Sequence, residues 1–137
     1  MVVVATVNLK EINVLLFDNR FDQSIMIEEL FEQIGCKIDL VMDVFGCFEK
    51  LITTKYDMVL FDHSIPGLDV SDFVNQLENT DRYMSVAMMV TLSESFYEDK
   101  YGCSGVDYLL FKPFGLEDLV FLVENAFQFS QKLQNSS

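Results

Sequence analysis

Polar side chains that can take part in phosphoryl transfer follow several short apolar runs of the chain: Asp18, Asp62, Thr91 and Lys112. The carboxylate of Asp62 can act as a nucleophile toward a phosphoryl group and form an aspartyl phosphate. Because the transfer depends on charge neutralisation, the ammonium group of Lys112 can pair with Asp62 before transfer and with phosphate afterwards. A Mg²⁺ ion held by one or two carboxylates can serve the same purpose, and the Thr91 hydroxyl can hydrogen-bond a phosphoryl oxygen. These residues predict a phosphoryl-transfer site if the fold brings them together.

The apolar runs have the length of β-strands and alternate with segments of helical periodicity. Strands are predicted at residues 12–17, 37–42, 58–61, 86–90 and 107–111, and helices at residues 23–34, 44–53, 71–77, 93–101 and 116–133. Gly35 is a candidate stop for the first helix and Ser71 a candidate N-cap for the third. Runs without polar alternation are expected when both faces of a sheet are covered. The order predicts an α/β fold with a doubly wound, five-stranded parallel sheet.

The carboxyl ends of the strands form the usual working edge of such a sheet. Asp18 and Asn19 follow the first predicted strand, and Asp62 follows the third. Thr91 follows the fourth strand, and Lys112 follows the fifth. We therefore expect all five side chains to meet at one edge.

Composition and charge argue against several kinds of partner, metal site and membrane segment. The chain has 137 residues, enough for one domain, and a formal net charge of -13 at pH 7. This charge argues against nucleic acid and against an anionic membrane surface as direct partners. Three cysteines without a CxxC spacing favour neither a disulfide framework nor a zinc site, and they indicate a reducing cytoplasm. The apolar segment 1–7 is too short to span a membrane and lacks the charged start of a signal peptide.

Four stretches of the sequence resemble the response-regulator receiver family: INVLLFDNR (12–20), YDMVLFDHSIPGLD (56–69), MMVTLS (88–93) and GVDYLLFKPF (105–114). The resemblance covers roughly residues 11–129 in the right order. It implies a flavodoxin-like (βα)5 receiver fold in which Asp62 is the phosphoacceptor and Thr91 and Lys112 assist it. It also implies a Mg²⁺ site formed by Asp18, Asn19, Asp62 and the backbone carbonyl of Ser64.

The resemblance further implies a cytoplasmic phosphoprotein of a two-component phosphorelay. A histidine kinase or phosphotransfer protein would supply the phosphoryl group, and a downstream protein or fused effector domain would receive the signal. The output face would comprise the fourth predicted helix, the fifth strand and the last helix, and this face is also a candidate homodimer interface. The chain would be no enzyme beyond self-phosphorylation and self-dephosphorylation. Residues 1–10 are predicted to be an N-terminal extension, 11–133 the receiver domain, and 134–137 a frayed tail or the start of a linker.

Several residues depart from the family pattern. Asn19 stands where the family usually has a second acid, so Mg²⁺ affinity should be weakened. Arg20 either faces solvent, which is the favoured interpretation, or partly substitutes for the metal. Leu92 replaces a small residue and should narrow phosphate access, and Leu109 occupies the position of the usual switch aromatic.

Two alternatives to a phosphorylated receiver follow from the residues. The departures motivate one alternative, an atypical receiver that acts as a phosphate-independent protein-interaction module. A nucleotide or flavin binder on the same fold class is disfavoured, because the loop after the first strand reads Asp-Asn-Arg-Phe-Asp instead of being rich in glycine or hydroxyl groups.

Overall fold

Five parallel strands form one sheet in the computed structural model, which describes residues 8–80, 84–91 and 105–135. The strands are β1 (Asn13–Phe17), β2 (Lys37–Val41), β3 (Met58–Asp62), β4 (Ser85–Thr91) and β5 (Tyr108–Lys112). Their order across the sheet is β2-β1-β3-β4-β5, which confirms the predicted doubly wound parallel sheet. The predicted helix at 93–101 and the predicted effect of Leu92 lie outside the described residues.

Helices cover both faces of the sheet. They are α1 (Phe21–Ile34), α2 (Val44–Thr53), α3 (Val70–Glu78) and a C-terminal helix (Leu116–Asn135), and a short 3-10 turn (Leu9–Glu11) precedes β1. As predicted, α1 ends at Gly35, whose φ of 98° is left-handed and whose N–H donates to the carbonyl of Phe31. The predicted N-cap of α3 is wrong. Asp69 caps this helix by accepting from the backbone N–H of Asp72, and Ser71 lies inside its first turn.

Two apolar cores hold the layers together. On one face, Phe73 of α3 packs edge-on against Phe17 and Phe61, with ring centroids 5.2 and 5.0 Å apart. On the other face, α1 and the C-terminal helix contribute buried side chains such as Phe31 and Leu119 to a separate cluster. Covering both faces explains why the inner strands β1, β3 and β4 lack polar alternation, whereas the edge strand β2 alternates. Among the described helices, none is long and apolar enough to cross a membrane.

Candidate functional site

Strand register brings the predicted site residues to one edge of the sheet. Phe17 pairs with Phe61 across β1 and β3, so the residues that follow them, Asp18 and Asp62, emerge side by side. Thr91 pairs directly with Lys112 at the ends of β4 and β5. The predicted meeting of these polar residues at the strand ends therefore follows from the parallel pairing.

Asp62 is the most heavily contacted of these residues, and it is fully buried. Its Oδ1 accepts hydrogen bonds from the backbone N–H and the hydroxyl of Ser64, at 2.8 and 2.6 Å. Its Oδ2 forms an ion pair with Nζ of Lys112 and lies 2.9 Å from Nη2 of Arg20. The same oxygen accepts from Nε2 of Gln23 at 3.1 Å. Both carboxylate oxygens are thus held by donors or cations.

These contacts keep Asp62 ionised. Burial alone would raise the pKa of Asp62, but hydrogen bonds from Lys112 and Ser64, together with the charge of Lys112, outweigh it. The pKa of Asp62 therefore lies well below its usual value. Near neutral pH this residue is a carboxylate, which is the form required of a nucleophile.

Asp18 is also fully buried and lies next to Asp62. Its Oδ1 accepts from the backbone N–H of Arg20 at 2.9 Å and from Nε of the same residue at 3.3 Å. Its Oδ2 accepts from Nε2 of Gln23 at 2.5 Å. Asn19, by contrast, is exposed, and Thr91 is half-buried at the end of β4.

Gln23 is a site residue that the sequence analysis missed. Its Nε2 donates to both Asp18 and Asp62, and its Oε1 accepts from Nζ of Lys112 at 2.9 Å. The residue lies in the first turn of α1, five positions after Asp18, so the helix start returns its side chain over the strand ends. The available sequence signal was its position at the start of the predicted helix 23–34, only five residues after Asp18.

The favoured interpretation of Arg20 as a solvent-facing residue is wrong. Its side chain is 33% exposed, and its guanidinium group contacts both Asp18 and Asp62. The physical reason is that two adjacent buried carboxylates are costly without nearby positive charge. Burial would lower the pKa of Arg20, but the charge of Asp62 and the hydrogen bond and charge of Asp18 outweigh it and raise this pKa.

The arrangement does not fit the Mg²⁺ ion that the family resemblance implies for this pocket. Arg20 and Gln23 present N–H donors to the carboxylate oxygens that a metal would need. Within the described parts of the chain, no group of three or more His, Cys, Asp and Glu side chains could hold a metal ion. The ligand set of Asp18, Asn19, Asp62 and the Ser64 carbonyl stays a prediction, and we derive no step through a metal.

A family model and two curated relatives all indicate the same protein family. The model of the response regulator receiver domain matches residues 14–124. The probable transcriptional regulator ycf29 of Porphyra purpurea is 25% identical over 118 residues, which span 82% of this chain and 55% of that protein. The two-component response regulator ARR7 of Arabidopsis thaliana is 24% identical over 127 residues, covering 83% of this chain and 62% of that protein. The chain thus spans about half the length of the ycf29 relatives it matches.

Solved structures show the same fold. The signal receiver domain of an HD domain-containing protein from Pseudomonas fluorescens Pf-5 matches with a TM-score of 0.80 and 16% identity, over 96% of this chain and 97% of that one. The chemotaxis response regulator CheY4 of Vibrio cholerae matches with a TM-score of 0.72 and 20% identity, over 84% of this chain and 98% of that one. At these identities the likeness concerns the fold alone.

Proposed function

The chain belongs to the response regulator receiver domain family of two-component signalling, and we propose that Asp62 accepts a phosphoryl group from a histidine kinase or phosphotransfer protein. The observation that carries this proposal is the contact between Lys112 and a buried, ionised Asp62 at the end of β3. A carboxylate in this state is a competent nucleophile. The adjacent ammonium group can neutralise the charge that the phosphoryl group brings.

The proposed step transfers the phosphoryl group from a phosphohistidine nitrogen to a carboxylate oxygen of Asp62. The O–P bond forms as the N–P bond breaks, and the electron pair of the N–P bond stays on the imidazole nitrogen. The hydroxyl of Ser64, which lies 2.6 Å from Asp62, and the ammonium group of Lys112 are the proposed donors to the incoming group. Thr91 lies opposite Lys112 in the register and is the proposed third partner of the phosphoryl oxygens.

Receiver domains act on effector domains or downstream proteins, and we propose the β5 side of this domain as its output face. Three large apolar side chains are exposed there: Leu109 and Phe111 on β5, and Phe121 on the C-terminal helix. Exposed apolar clusters of this kind mark protein-interaction sites, so the same face is also the proposed homodimer interface. The proposed location is the cytoplasm, supported by buried free thiols at Cys36 and Cys47.

Phosphorylation can be tested with a small-molecule donor. Incubation of the wild-type protein with phosphoramidate, followed by intact-mass spectrometry, should show a gain of one phosphoryl group. The Asp62→Asn variant should show no gain under the same conditions. An unmodified wild-type protein, with both phosphoramidate and a phosphorylated phosphotransfer domain as donors, would overturn the proposal.

A phosphate-independent interaction module is the second candidate, and the charge balance of the pocket motivates it. Both oxygens of Asp62 already have partners, and the charges of Arg20 and Lys112 balance those of Asp18 and Asp62. This candidate predicts that the folded wild-type protein, verified by circular dichroism, stays unmodified in the mass assay. A phosphorylated wild-type protein would favour the first candidate over this one.

A further inference from the structure

We propose that Arg20 is a resident cation that takes the place of a divalent metal ion in this receiver pocket. The part of the inference that concerns metal binding stands on geometry alone. The part that concerns phosphorylation rests on the proposed function of Asp62. The two parts have separate experimental readouts.

The three side-chain nitrogens of Arg20 each approach a different residue of the predicted metal site. Nε lies 3.3 Å from Oδ1 of Asp18, Nη2 lies 2.9 Å from Oδ2 of Asp62, and Nη1 donates to Oγ of Ser64 at 3.1 Å. Nη2 is buried, and its approach to Asp62 is an ion pair without hydrogen-bond geometry. One planar guanidinium group therefore lies among the residues that would otherwise surround a metal ion.

The backbone holds Arg20 in this position. Arg20 is the N-cap residue of α1, with an extended backbone, and its own N–H donates to Oδ1 of Asp18 at 2.9 Å. The carboxylate of Asp18 thus binds both the main chain and the side chain of Arg20. The backbone hydrogen bond fixes the Cα of Arg20 beside the pocket. Only the side-chain torsions then have to be ordered for the guanidinium group to reach the carboxylates.

Gln23 completes the arrangement. Its amide group donates to Asp18 and Asp62, which removes further lone pairs from any metal, and its carbonyl oxygen accepts from Lys112. Two carboxylates and two cations then balance within the pocket. A divalent ion would have to expel Arg20 and break the donations from Gln23 before it could reach the carboxylates. Its binding should therefore be weak.

Direct binding of Mn²⁺ tests this inference without reference to phosphorylation. Paramagnetic broadening of backbone amide signals around Asp18 and Ser64 should be absent in the wild-type protein at millimolar Mn²⁺. In the Arg20→Ala variant, Mn²⁺ should bind at least about tenfold more tightly, which is the scale on which a neighbouring group changes metal affinity. Arg20→Lys, which keeps the positive charge, should bind Mn²⁺ no better than the wild type does.

Lys132→Ala is the matched control. This exposed lysine of the C-terminal helix contributes the same charge to the protein but does not contact the pocket. The substitution should leave the wild-type response to Mn²⁺ unchanged. If Arg20→Ala fails to fold, the titration of the wild-type protein still decides, because broadening at Asp18 and Ser64 in the wild type at millimolar or lower Mn²⁺ would overturn the inference.

The phosphorylation readout follows from the same geometry. If Arg20 supplies the positive charge, the reaction of wild-type protein with phosphoramidate should reach the same mass gain in EDTA as in Mg²⁺. A reaction that requires Mg²⁺ would overturn the inference while leaving the proposed function intact. If neither condition yields a mass gain, with phosphoramidate or with a phosphorylated phosphotransfer domain as donor, the proposed function fails, and the Mn²⁺ titration still decides the role of Arg20.

Discussion

At the scale of single residues, the pocket is organised by the needs of two buried carboxylates. Asp18 and Asp62 are both fully buried, and both accept a hydrogen bond from Gln23. Arg20 donates to Asp18 and forms an ion pair with Asp62. Residue types at the strand ends predicted the acids and Lys112. They did not predict which other side chains would neutralise the acids, because burial of Asp18 and Asp62 is a property of the folded sheet.

Gln23 should contribute measurably to stability, because it hydrogen-bonds two buried carboxylates and the half-buried ammonium group of Lys112. The variant Gln23→Ala removes the donations to both carboxylates and the acceptor for Lys112. A loss of about 1–3 kcal/mol in the free energy of unfolding is expected from the unsatisfied groups. Urea denaturation measures it. Gln33→Ala, on the exposed side of the same helix, is the matched control and should change stability little; equal losses in both variants would contradict this role.

The low pKa of Asp62 makes stability depend on pH in a defined direction. A group whose pKa is lower in the folded than in the unfolded state stabilises the fold above its unfolded pKa, and this contribution is lost as the pH falls. The wild-type protein should therefore lose stability relative to Asp62→Asn as the pH drops below about 4. Denaturant unfolding at a series of pH values measures the difference. A stability difference that does not change with pH would show that Asp62 is not held ionised by its partners.

At the scale of secondary-structure elements, the sequence predicted the described strands and helices, but not all of their ends. Apolar periodicity placed the first helix from residue 23, whereas α1 begins at Phe21 and uses Arg20 as its N-cap residue. This earlier start matters for the site, because the first turn of α1 and its N-cap residue then lie at the strand ends. The side chains of Arg20 and Gln23 contact Asp18 there. The contact between Gln23 and Lys112 joins residues 89 positions apart. No local pattern indicates such a contact.

The start of α3 provides a test at this scale. The side chain of Asp69 accepts from the backbone N–H of Asp72 at 3.0 Å, so Asp69→Ala should destabilise the protein by about 1 kcal/mol. Ser71 is exposed in the first turn, and Ser71→Ala should stay within about 0.5 kcal/mol of the wild type. Thermal unfolding compares the two variants. If Ser71→Ala lost more stability than Asp69→Ala, the N-cap of α3 would be Ser71, as the sequence pattern predicted, and not Asp69.

At the scale of the whole molecule, one parallel sheet with helices on both faces was predictable because continuous apolar strands require two covered faces. The same pattern placed Asp18, Asp62, Thr91 and Lys112 at one edge, since parallel strands end together. The pairing of the two carboxylates with Arg20 and Lys112 was not predictable, because it depends on the side-chain rotamers that these residues adopt in the packed fold. The family membership agrees with the order of strands in the sheet.

The most direct test of the account is to locate the phosphoryl group chemically. Protein treated with phosphoramidate is reduced with borohydride, which converts an aspartyl phosphate to homoserine, and is then analysed by peptide mass spectrometry. Homoserine should appear at position 62 alone, with Asp18 unchanged. Homoserine at another aspartate, or no homoserine in a folded protein, would contradict the assignment of Asp62 as the phosphoacceptor.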